Sequence, residues 1–402
     1  MADQPRIRPV RLTASPRMAA SPLSRRRFLS RAGLVIGGVA LGPTILAACG
    51  DDDGGSNGGD AGGDGGGGGG ESTLRISNWP LYIDEETVAD FEAATGLSVT
   101  YTEDVNDNDE YFAKIQEPLS RGQDIGADLF VVTDWMAARL ITLGWVAEID
   151  AANVPNKSNL VASLQGVQFD PDRAYSLPWQ SGMTGIIYNA DALGRELTSV
   201  EELFDPELAG SVTFLTEMRD TMGLLLLANG VDPSGDFTDA DFDAALARLT
   251  EARDAGQIRR FTGNDYGDDL ASGNVVAAVG WSGDAVQLQA DNPSLRFAVP
   301  TEGGMLWSDN MMIPTTASAG AKANAEAWMN YVYDPEAMGQ ITEWVAYIPP
   351  VEGTGEFLSE ELANDPLVNP DDELRSRLSV FRGLDEDTEQ RYNEAFQNVV
   401  RA

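Results

Sequence analysis

The stretch ADLFVVTDWMAARLITLG, residues 127–144, joins a run of apolar residues to a segment with helical periodicity. Asp128–Thr133 is typical of a buried strand, and Asp134–Leu143 is predicted to be a helix that a glycine ends. The same alternation precedes it, with strands predicted at Leu74–Ser77 and Leu97–Thr102, each followed by a helical segment. Strands that alternate with helices predict an α/β fold with a largely parallel sheet.

A second set of alternating segments follows. Further strands are predicted at Gly185–Tyr188, Ser211–Leu215, Val275–Trp281, Leu295–Pro300 and Met311–Ile313. Further helices are predicted near Thr221–Ala228, Asp239–Ala255, Ala285–Ala290, Ala321–Tyr333 and Pro335–Val345. Open parallel sheets bind ligands at the carboxyl ends of their strands, so two such lobes facing each other would form a cleft.

The composition excludes several classes of chemistry. The 402 residues carry a formal net charge of −37, from 64 acidic and 27 basic side chains, with no histidine and one cysteine. Without histidine the chain has no Ser-His-Asp triad, no Cys-His pair and no histidine-based zinc or iron site. A surface this acidic repels nucleic acid, and no lysine follows a glycine as a Walker A loop requires. We expect no cofactor, no metal site and no nucleic-acid partner.

Residues 1–49 form a basic leader that is typical of an exported lipoprotein. The leader holds eight arginines and one acid, and Ser24–Leu29 fits the twin-arginine export pattern. The apolar run Ala32–Ala48 is rich in glycine and too short for a good membrane span. It ends in Leu46-Ala47-Ala48-Cys49, which matches a lipobox, so Cys49 is predicted to be acylated and to begin the mature chain. A plain signal peptide or an uncleaved anchor is the alternative.

Residues 50–72 are predicted to be a flexible linker. Thirteen of the 21 residues at positions 50–70 are glycine, so this stretch cannot bury enough apolar surface to become ordered. The mature protein is therefore predicted to lie at the extracytoplasmic, periplasmic side of the cell membrane, attached through its N-terminal lipid.

Acidic residues and tryptophans cluster directly after the predicted strands. These residues are Trp79, Asp134, Trp135, Glu217, Asp220, Trp281, Asp284, Trp307 and Asp309. Carboxylates accept charge-assisted hydrogen bonds from ammonium groups, and indole faces attract organic cations. Each residue alone has an ordinary structural explanation, a helix cap for an aspartate or a core position for a tryptophan. Together they indicate a cleft for an organic cation.

From Leu74 to the C-terminus the chain resembles the spermidine/putrescine-binding proteins of bacterial ABC transporters. The motifs occur in the family's order, at Asn78–Tyr82, Ala127–Thr133, Tyr175–Trp179, Thr184–Asn189, Val279–Ala285 and Glu302–Asp309. The last two are close to the Gly-Trp-x-Gly-Asp of the putrescine branch and the Glu-Gly-Gly-x-x-Trp-x-Asp of the spermidine branch. The resemblance implies a two-lobed periplasmic-binding-protein fold, in which each lobe is a mostly parallel sheet flanked by helices and the ligand cleft lies between the lobes.

The resemblance also implies a role for each candidate residue. Trp281 and Trp307 would sandwich the methylene chain of a polyamine, and Trp79 and Tyr347 would complete an aromatic box. Asp309 would pair with one amine. Acidic positions of one branch or the other match Glu217, Asp220 and Asp284, while Tyr82, Thr133 and Trp135 match other positions that line the cleft.

Two departures from the family pattern bear on the ligand. The family has a hydroxyl residue and an acid where this chain has Pro80 and Leu81, so one amine-binding carboxylate is missing unless Asp134 replaces it. This loss favours putrescine over the longer spermidine, because a buried ammonium without a partner is costly. Arg382 falls near a glutamine of the spermidine branch, and an arginine in the cleft would repel a cation or favour a ligand with a carboxylate.

Residues 104–109, DVNDND, are similar to the start of an EF-hand loop. Position six is aspartate rather than glycine, and Ile115 occupies position twelve, so a solvated loop is expected instead of a calcium site.

The predicted organisation is a signal peptide at 1–49, a linker at 50–72, a first lobe at 73–185 and 311–350, and a second lobe at 186–310 and 351–402. Such a monomer would capture a polyamine by closing its lobes and deliver it to the permease subunits of an ABC transporter, without enzymatic chemistry. The alternatives are a receptor for another amine or an amino-acid-like ligand, an extracellular glycosidase that uses a carboxylate pair, and an adhesion module.

Overall fold

The computed structural model describes residues 72–402, and the predicted signal peptide and all but the last residue of the predicted linker lie outside this range. Ten strands occur here: β1 Thr73–Asn78, β2 Ser98–Glu103, β3 Leu129–Thr133, β4 Leu177–Asn189, β5 Val212–Leu215, β6 Ile258–Thr262, β7 Ala277–Trp281, β8 Leu295–Ala298, β9 Gly304–Met312 and β10 Leu378–Ser379. Within these residues, no helix combines the length and the apolar character that crossing a membrane requires.

Thirteen α-helices accompany the strands in the same range. They are α1 Glu85–Thr95, α2 Asn108–Ser120, α3 Asp134–Thr142, α4 Ala190–Leu193, α5 Met218–Ala228, α6 Asp239–Asp254, α7 Tyr266–Ser272, α8 Ser282–Asp291, α9 Ala319–Val332, α10 Pro335–Val345, α11 Glu360–Ala363, α12 Asp372–Arg375 and α13 Glu386–Val400. Short 3-10 turns lie at Pro155–Asn159, Ala162–Leu164, Val200–Phe204, Pro206–Leu208 and Thr354–Phe357.

The strands form one curled sheet in the order β2-β1-β3-β9-β4-β7-β5-β6, with β8 beside β4 and β10 beside β9. At one end, β1 is parallel to both β2 and β3, and at the other end β5 is parallel to both β6 and β7. The predicted α/β fold with mostly parallel strands in each lobe is confirmed. We call β1, β2 and β3 with their helices the first lobe, and β5, β6 and β7 with theirs the second lobe.

Two long antiparallel strands, β4 and β9, join the lobes. One end of β9 pairs with β3 of the first lobe, from Phe130 opposite Met312 to Thr133 opposite Asp309. The far end of β4 pairs with β7 of the second lobe. The predicted lobe boundaries at 185/186 and 310/311 fall inside these two strands. β4 and β9 lie beside the carboxyl ends of β3 in the first lobe and β7 in the second lobe.

The sequence predicted β4 and β9 as much shorter strands. In β4 the residues Leu177–Tyr188 are all buried, because other elements cover both of its faces. A strand that is buried on both sides loses the alternation of apolar and polar residues that marks a half-exposed strand. Because of the glycines and polar residues in the middle of β4, the sequence analysis did not identify the first half of this strand.

Residues 104–109 were predicted to be a solvated loop, and this prediction is wrong. Val105 is fully buried and Asn108 is 1% exposed. Backbone N–H groups of Asp104 and Val105 donate to the carbonyl of Asn78 at the end of β1. The side chain of Asp107 caps α2 by accepting from the N–H of Glu110. The acidic and amide side chains in this segment serve contacts within the protein rather than solvation.

Asp170 organises the turn that leads into β4. Its carboxylate accepts from the backbone N–H groups of Ala174, Tyr175 and Ser176 and from the Ser176 hydroxyl, over 2.8–2.9 Å. The same turn carries Arg173, whose guanidinium donates to the Asn310 side chain of β9 at 2.9 Å. This turn therefore fixes where β4 begins relative to β9.

We predict that Asp170→Ala destabilises the protein by about 2–4 kcal/mol, because it leaves one buried and two partly buried backbone donors without an acceptor. Urea unfolding measures the change. Asp172→Ala removes an exposed acid two residues away and should change the unfolding free energy by less than about 0.5 kcal/mol. Equal effects of the two substitutions would contradict this role for Asp170.

Candidate functional site

A cavity lies where the two lobes meet β4 and β9. Its lining is aromatic and acidic: Trp79, Pro80, Tyr82, Thr133, Glu217, Asp220, Asn264, Trp281, Asp284, Trp307, Asp309 and Tyr347. No lysine or arginine of residues 72–402 lines it. The cavity thus combines a strongly negative potential with apolar ring surfaces.

Ten of the twelve residues that the sequence nominated line this cavity. The other two, Asp134 and Trp135, line a neighbouring cavity. Thr133, Asp220 and Trp307 line both cavities, so they form the boundary between them. The sequence analysis placed all twelve in one cleft, and the structure divides them between two adjacent spaces.

Asp309 lies on β9 and is 4% exposed. One carboxylate oxygen accepts from the Tyr82 hydroxyl at 2.9 Å, and the other accepts from the Thr133 hydroxyl at 2.8 Å. Burial raises the pKa of Asp309 to about 7, although both hydroxyl donors oppose that rise. No cationic side chain among the described residues contacts the Asp309 carboxylate, so it can pair with a cationic ligand.

Asp220 lies in the first turn of α5 and meets β4 and β7. The Thr184 hydroxyl donates a short hydrogen bond to it, and the Trp281 indole N–H donates to the same oxygen at 3.4 Å. Burial raises the pKa of Asp220 to about 6. The other carboxylate oxygen receives no side-chain hydrogen bond from the described residues and is available to a ligand.

Glu217 and Asp284 complete the acidic lining from the second lobe. Both the backbone N–H and the side-chain amide of Asn108 donate to one oxygen of Glu217, at 2.7 and 2.8 Å. Asp284 accepts a short hydrogen bond from the Tyr266 hydroxyl and a second one from Tyr347 at 2.6 Å. Burial raises the pKa of both carboxyl groups.

The aromatic rings contact one another in a continuous row. The ring centroids of Trp79 and Trp281 are 6.0 Å apart, those of Trp281 and Trp307 are 6.3 Å apart, and those of Trp307 and Tyr347 are 5.5 Å apart. The planes of Trp281 and Trp307 meet at 76°, edge to face, rather than as the parallel pair that the resemblance implied. A ligand would therefore contact ring faces that meet at steep angles.

Two glycines make room for these rings. A Cβ atom at Gly182 of β4 would lie 2.4 Å from Cζ2 of Trp307, and one at Gly283 would lie 2.4 Å from Cδ2 of Tyr347. Neither ring could keep its position against a side chain there. The absence of side chains at these positions is thus a condition of the cavity.

Arg382 does not line the cavity. Its side chain lies over the Phe237 ring, with its guanidinium carbon 4.3 Å from the ring centroid, and one of its nitrogens donates to the Phe237 carbonyl at 3.0 Å. The repulsion that an arginine in the cleft would exert on a cation therefore does not come from Arg382. The basic group at the neighbouring cavity is Arg219, which stacks on Trp135 and pairs with Glu389 at 3.2 Å.

Several residues of the site were missed by the sequence analysis. Pro80 and Asn264 line the cavity, while Asn108, Thr184 and Tyr266 hold its carboxylates. Pro80 and Thr184 lay inside quoted motifs and could have been nominated from them. Asn108, Asn264 and Tyr266 have no such signal, because only the folded chain brings them to the site.

Comparisons with known proteins identify the family of this chain. Residues 86–370 match the family described as bacterial extracellular solute-binding protein. The putrescine-binding periplasmic protein of Escherichia coli is 30% identical over 78% of this chain and 88% of its own length. The spermidine/putrescine-binding periplasmic protein of the same organism is 30% identical over 75% of this chain and 84% of its own length.

A solved structure from Listeria monocytogenes, named for a spermidine/putrescine ABC transporter, has the same fold. It is 28% identical, with a TM-score of 0.74, and covers 82% of this chain and 98% of its own chain. The two-lobed periplasmic-binding-protein fold expected from the sequence is thereby confirmed.

We predict that the ligand-free protein becomes less stable as the pH rises from about 5 to about 8. The pKa of Asp309 is about 7 in the folded protein against an ordinary 3.8, so ionisation of this carboxyl costs free energy only in the folded state. Asp309→Asn should remove that part of the pH dependence and raise the unfolding free energy near pH 8 by about 1–3 kcal/mol. Urea unfolding at both pH values measures the slope.

The matched control is Asp291→Asn, which neutralises an exposed acid at the end of α8. This variant should keep the pH dependence of the wild type. An Asp309→Asn variant with an unchanged slope would contradict the assigned pKa.

Proposed function

Because the chain belongs to the bacterial extracellular solute-binding protein family, we propose that it binds a polyamine, putrescine or spermidine, for uptake by an ABC transporter. The family consists of solute-binding transport proteins rather than enzymes, and its location is extracytoplasmic. The observation that carries the proposal is the set of four buried carboxyl groups in a cavity that no basic side chain of residues 72–402 lines.

The acidic cavity selects for a cation with more than one charge. Burial is the main cause that raises the pKa of all four carboxyl groups, and the charge of Asp220 adds to it for Glu217 and Asp309. An ammonium group placed between them supplies the missing charge and donates hydrogen bonds to their oxygens. A ligand with a carboxylate of its own would add to the repulsion, which disfavours an amino-acid-like solute.

The carboxyl groups lie in two sets that suit the two ends of a diamine. Asp309 belongs to the set near the first lobe, together with the Tyr82 hydroxyl. Glu217, Asp220 and Asp284 form the set on the second lobe. The indole and phenol rings between these sets provide apolar surface for a methylene chain, and cation–π attraction of about 1–2 kcal/mol per desolvated contact. One amine would bind each set.

The third amine of a longer triamine could extend either towards Leu81 or into the neighbouring cavity. Leu81 does not line the cavity, and neither does Glu103, whose carboxylate accepts from the Leu81 N–H at 2.8 Å, so no carboxylate lines the cavity at that end. Asp134 and Trp135 lie across the boundary formed by Asp220 and Trp307. Arg219 also faces that space and opposes a third ammonium there. These charges favour putrescine and leave spermidine as the weaker ligand.

Capture would proceed by closure of the two lobes around the ligand. The hinge would lie in β4 and β9, which join the lobes and also carry Thr184, Trp307 and Asp309. Closure expels water from the carboxylates and strengthens their attraction for the ligand. The closed, liganded form would then be the one that meets the permease subunits of the transporter.

The binding proposal is tested by calorimetric titration with putrescine, spermidine and γ-aminobutyrate. We expect both polyamines to bind, putrescine more tightly, and the amino acid not to bind. Asp309→Ala and Trp307→Ala should each weaken putrescine binding by about 2–4 kcal/mol, because the first leaves an ammonium without its partner and the second removes aromatic cover.

The control for these variants is Trp145→Ala, which removes an indole that stacks on Phe112 outside this cavity. It should leave the affinity within about threefold of the wild type. Tight binding of γ-aminobutyrate without polyamine binding would overturn the proposal in favour of an amino-acid receptor.

We also propose that the protein is exported through its twin-arginine leader and anchored by lipid at Cys49. These residues lie outside the described range, and the proposal rests on the lipobox at Leu46–Cys49. Cys49→Ser should move the protein from the membrane fraction to the soluble fraction. Mass spectrometry of the wild type should show an acylated N-terminal cysteine, and an unmodified mature N-terminus would contradict the anchor.

A further inference from the structure

Loop 104–109 of the first lobe makes hydrogen bonds to two loops of the second lobe. The Thr216 hydroxyl donates to the Asp107 carboxylate at 2.6 Å. The backbone N–H of Asn264 donates to the Asn106 side chain at 3.4 Å. A Cβ atom at Gly263 would lie 2.5 Å from the Asn106 carbonyl oxygen, so the two backbones approach closely there. This loop bridges the opening between the lobes, opposite the hinge strands.

Asn108 is the residue of this loop that reaches the candidate ligand site. Its backbone N–H and side-chain amide both donate to one oxygen of Glu217. The same amide group donates to the Thr133 hydroxyl at 2.8 Å and accepts from the Thr133 N–H at 3.1 Å. Thr133 in turn donates to Asp309. One buried amide thus ties a carboxylate of the second lobe to a carboxylate of β9.

We propose that Asn108 is a positioning residue that couples ligand capture to lobe closure by fixing Glu217 across the opening. This inference rests on the proposed function. One oxygen of Glu217 is held by Asn108, and the other receives no side-chain hydrogen bond from the described residues and faces the cavity. When the lobes close, Glu217 comes within hydrogen-bonding distance of Asn108 and at the same time loses contact with water.

The energetics of this contact make closure depend on the ligand. When the lobes close, Glu217 exchanges water for the two donors of Asn108, which satisfy only one of its oxygens. A buried carboxylate that lacks a counter-charge destabilises the closed form. An ammonium ligand removes that penalty. Asn108 therefore stabilises the closed form with or without a ligand, and a cation in the cavity adds to that stabilisation.

The charges that face Glu217 determine how it titrates. Burial raises its pKa most, the charges of Asp107, Asp220 and Asp109 raise it further, and the backbone hydrogen bond from Asn108 lowers it. Arg219 in α5 has an electrostatic interaction with it. The Asn108 side chain donates a second hydrogen bond to the same carboxylate oxygen, so loss of that side chain should raise the pKa of Glu217 further and reduce its charge at neutral pH.

The test is a double-mutant cycle that is read by calorimetric titration with putrescine. Asn108→Ala should weaken binding roughly tenfold to hundredfold, since the side-chain hydrogen bond to a charged group is lost while the backbone one remains. In a Glu217→Gln background the same substitution should change the affinity by less than about threefold, because Asn108 acts through that carboxylate. Additive effects of the two substitutions would overturn the proposal.

A pH profile separates positioning from general structural damage. Putrescine affinity should fall with decreasing pH, and the fall should begin about one pH unit higher in Asn108→Ala than in the wild type. Thr216→Val is the matched control, because it removes another hydrogen bond between the same loops while both hydrogen bonds from Asn108 to Glu217 remain. It should keep the wild-type pH profile, and a profile for Asn108→Ala that is also unchanged would overturn the proposal. Asn108→Ser replaces Asn108→Ala if the latter does not fold.

Failure of the proposed function is distinguishable from failure of this inference. If the wild type binds neither putrescine nor spermidine, the proposed function fails, and the ligand-free proteins decide the inference. Small-angle scattering should then give a larger radius of gyration for Asn108→Ala than for the wild type and for Thr216→Val. Equal radii for all three would overturn the coupling role.

Discussion

The burial of four carboxyl groups in one cavity is the constraint on which the site depends. Each is held by neutral donors: Tyr82 and Thr133 for Asp309, Thr184 and Trp281 for Asp220, Asn108 for Glu217, and Tyr266 and Tyr347 for Asp284. These donors lower the cost of burial, but desolvation is the larger effect, and all four pKa values are raised. The cavity is consequently an unfavourable environment for negative charge.

The same two strands provide the connection between the lobes and much of the recognition surface. β4 contributes Thr184 and the space above Gly182, and β9 contributes Trp307 and Asp309. The turn at Asp170 and the contact of Arg173 with Asn310 fix the register at which these strands begin and cross. A change in the angle between the lobes therefore alters the ligand site directly, without any intermediate chain of contacts.

The few basic residues are excluded from the cavity by pairing and stacking elsewhere. Arg382 lies over Phe237, and Arg219 lies between Trp135 and Glu389. The net charge of −37 attracts cations to the chain from a distance. This attraction is least opposed inside the cavity, because no basic side chain of residues 72–402 lines it. The long-range charge favours encounter, while the local carboxylates and rings provide specificity.

The sequence by itself determined the alternation of strands and helices, the two-lobed fold and ten residues of the cavity lining. It could do so because periodicity and residue type are local properties, and because the ordered motifs from Asn78 to Asp309 carry the family resemblance. Tertiary structure alone decided the full length of β4, whose two buried faces leave no alternation in the sequence. It also decided the place of Asn108, in a segment whose polar composition predicted a solvated loop. The positions of Arg382, Asp134 and Trp135 likewise depend on contacts between residues far apart in the chain. For Asp134 and Trp135, these contacts decide which of the two adjacent cavities the side chain lines.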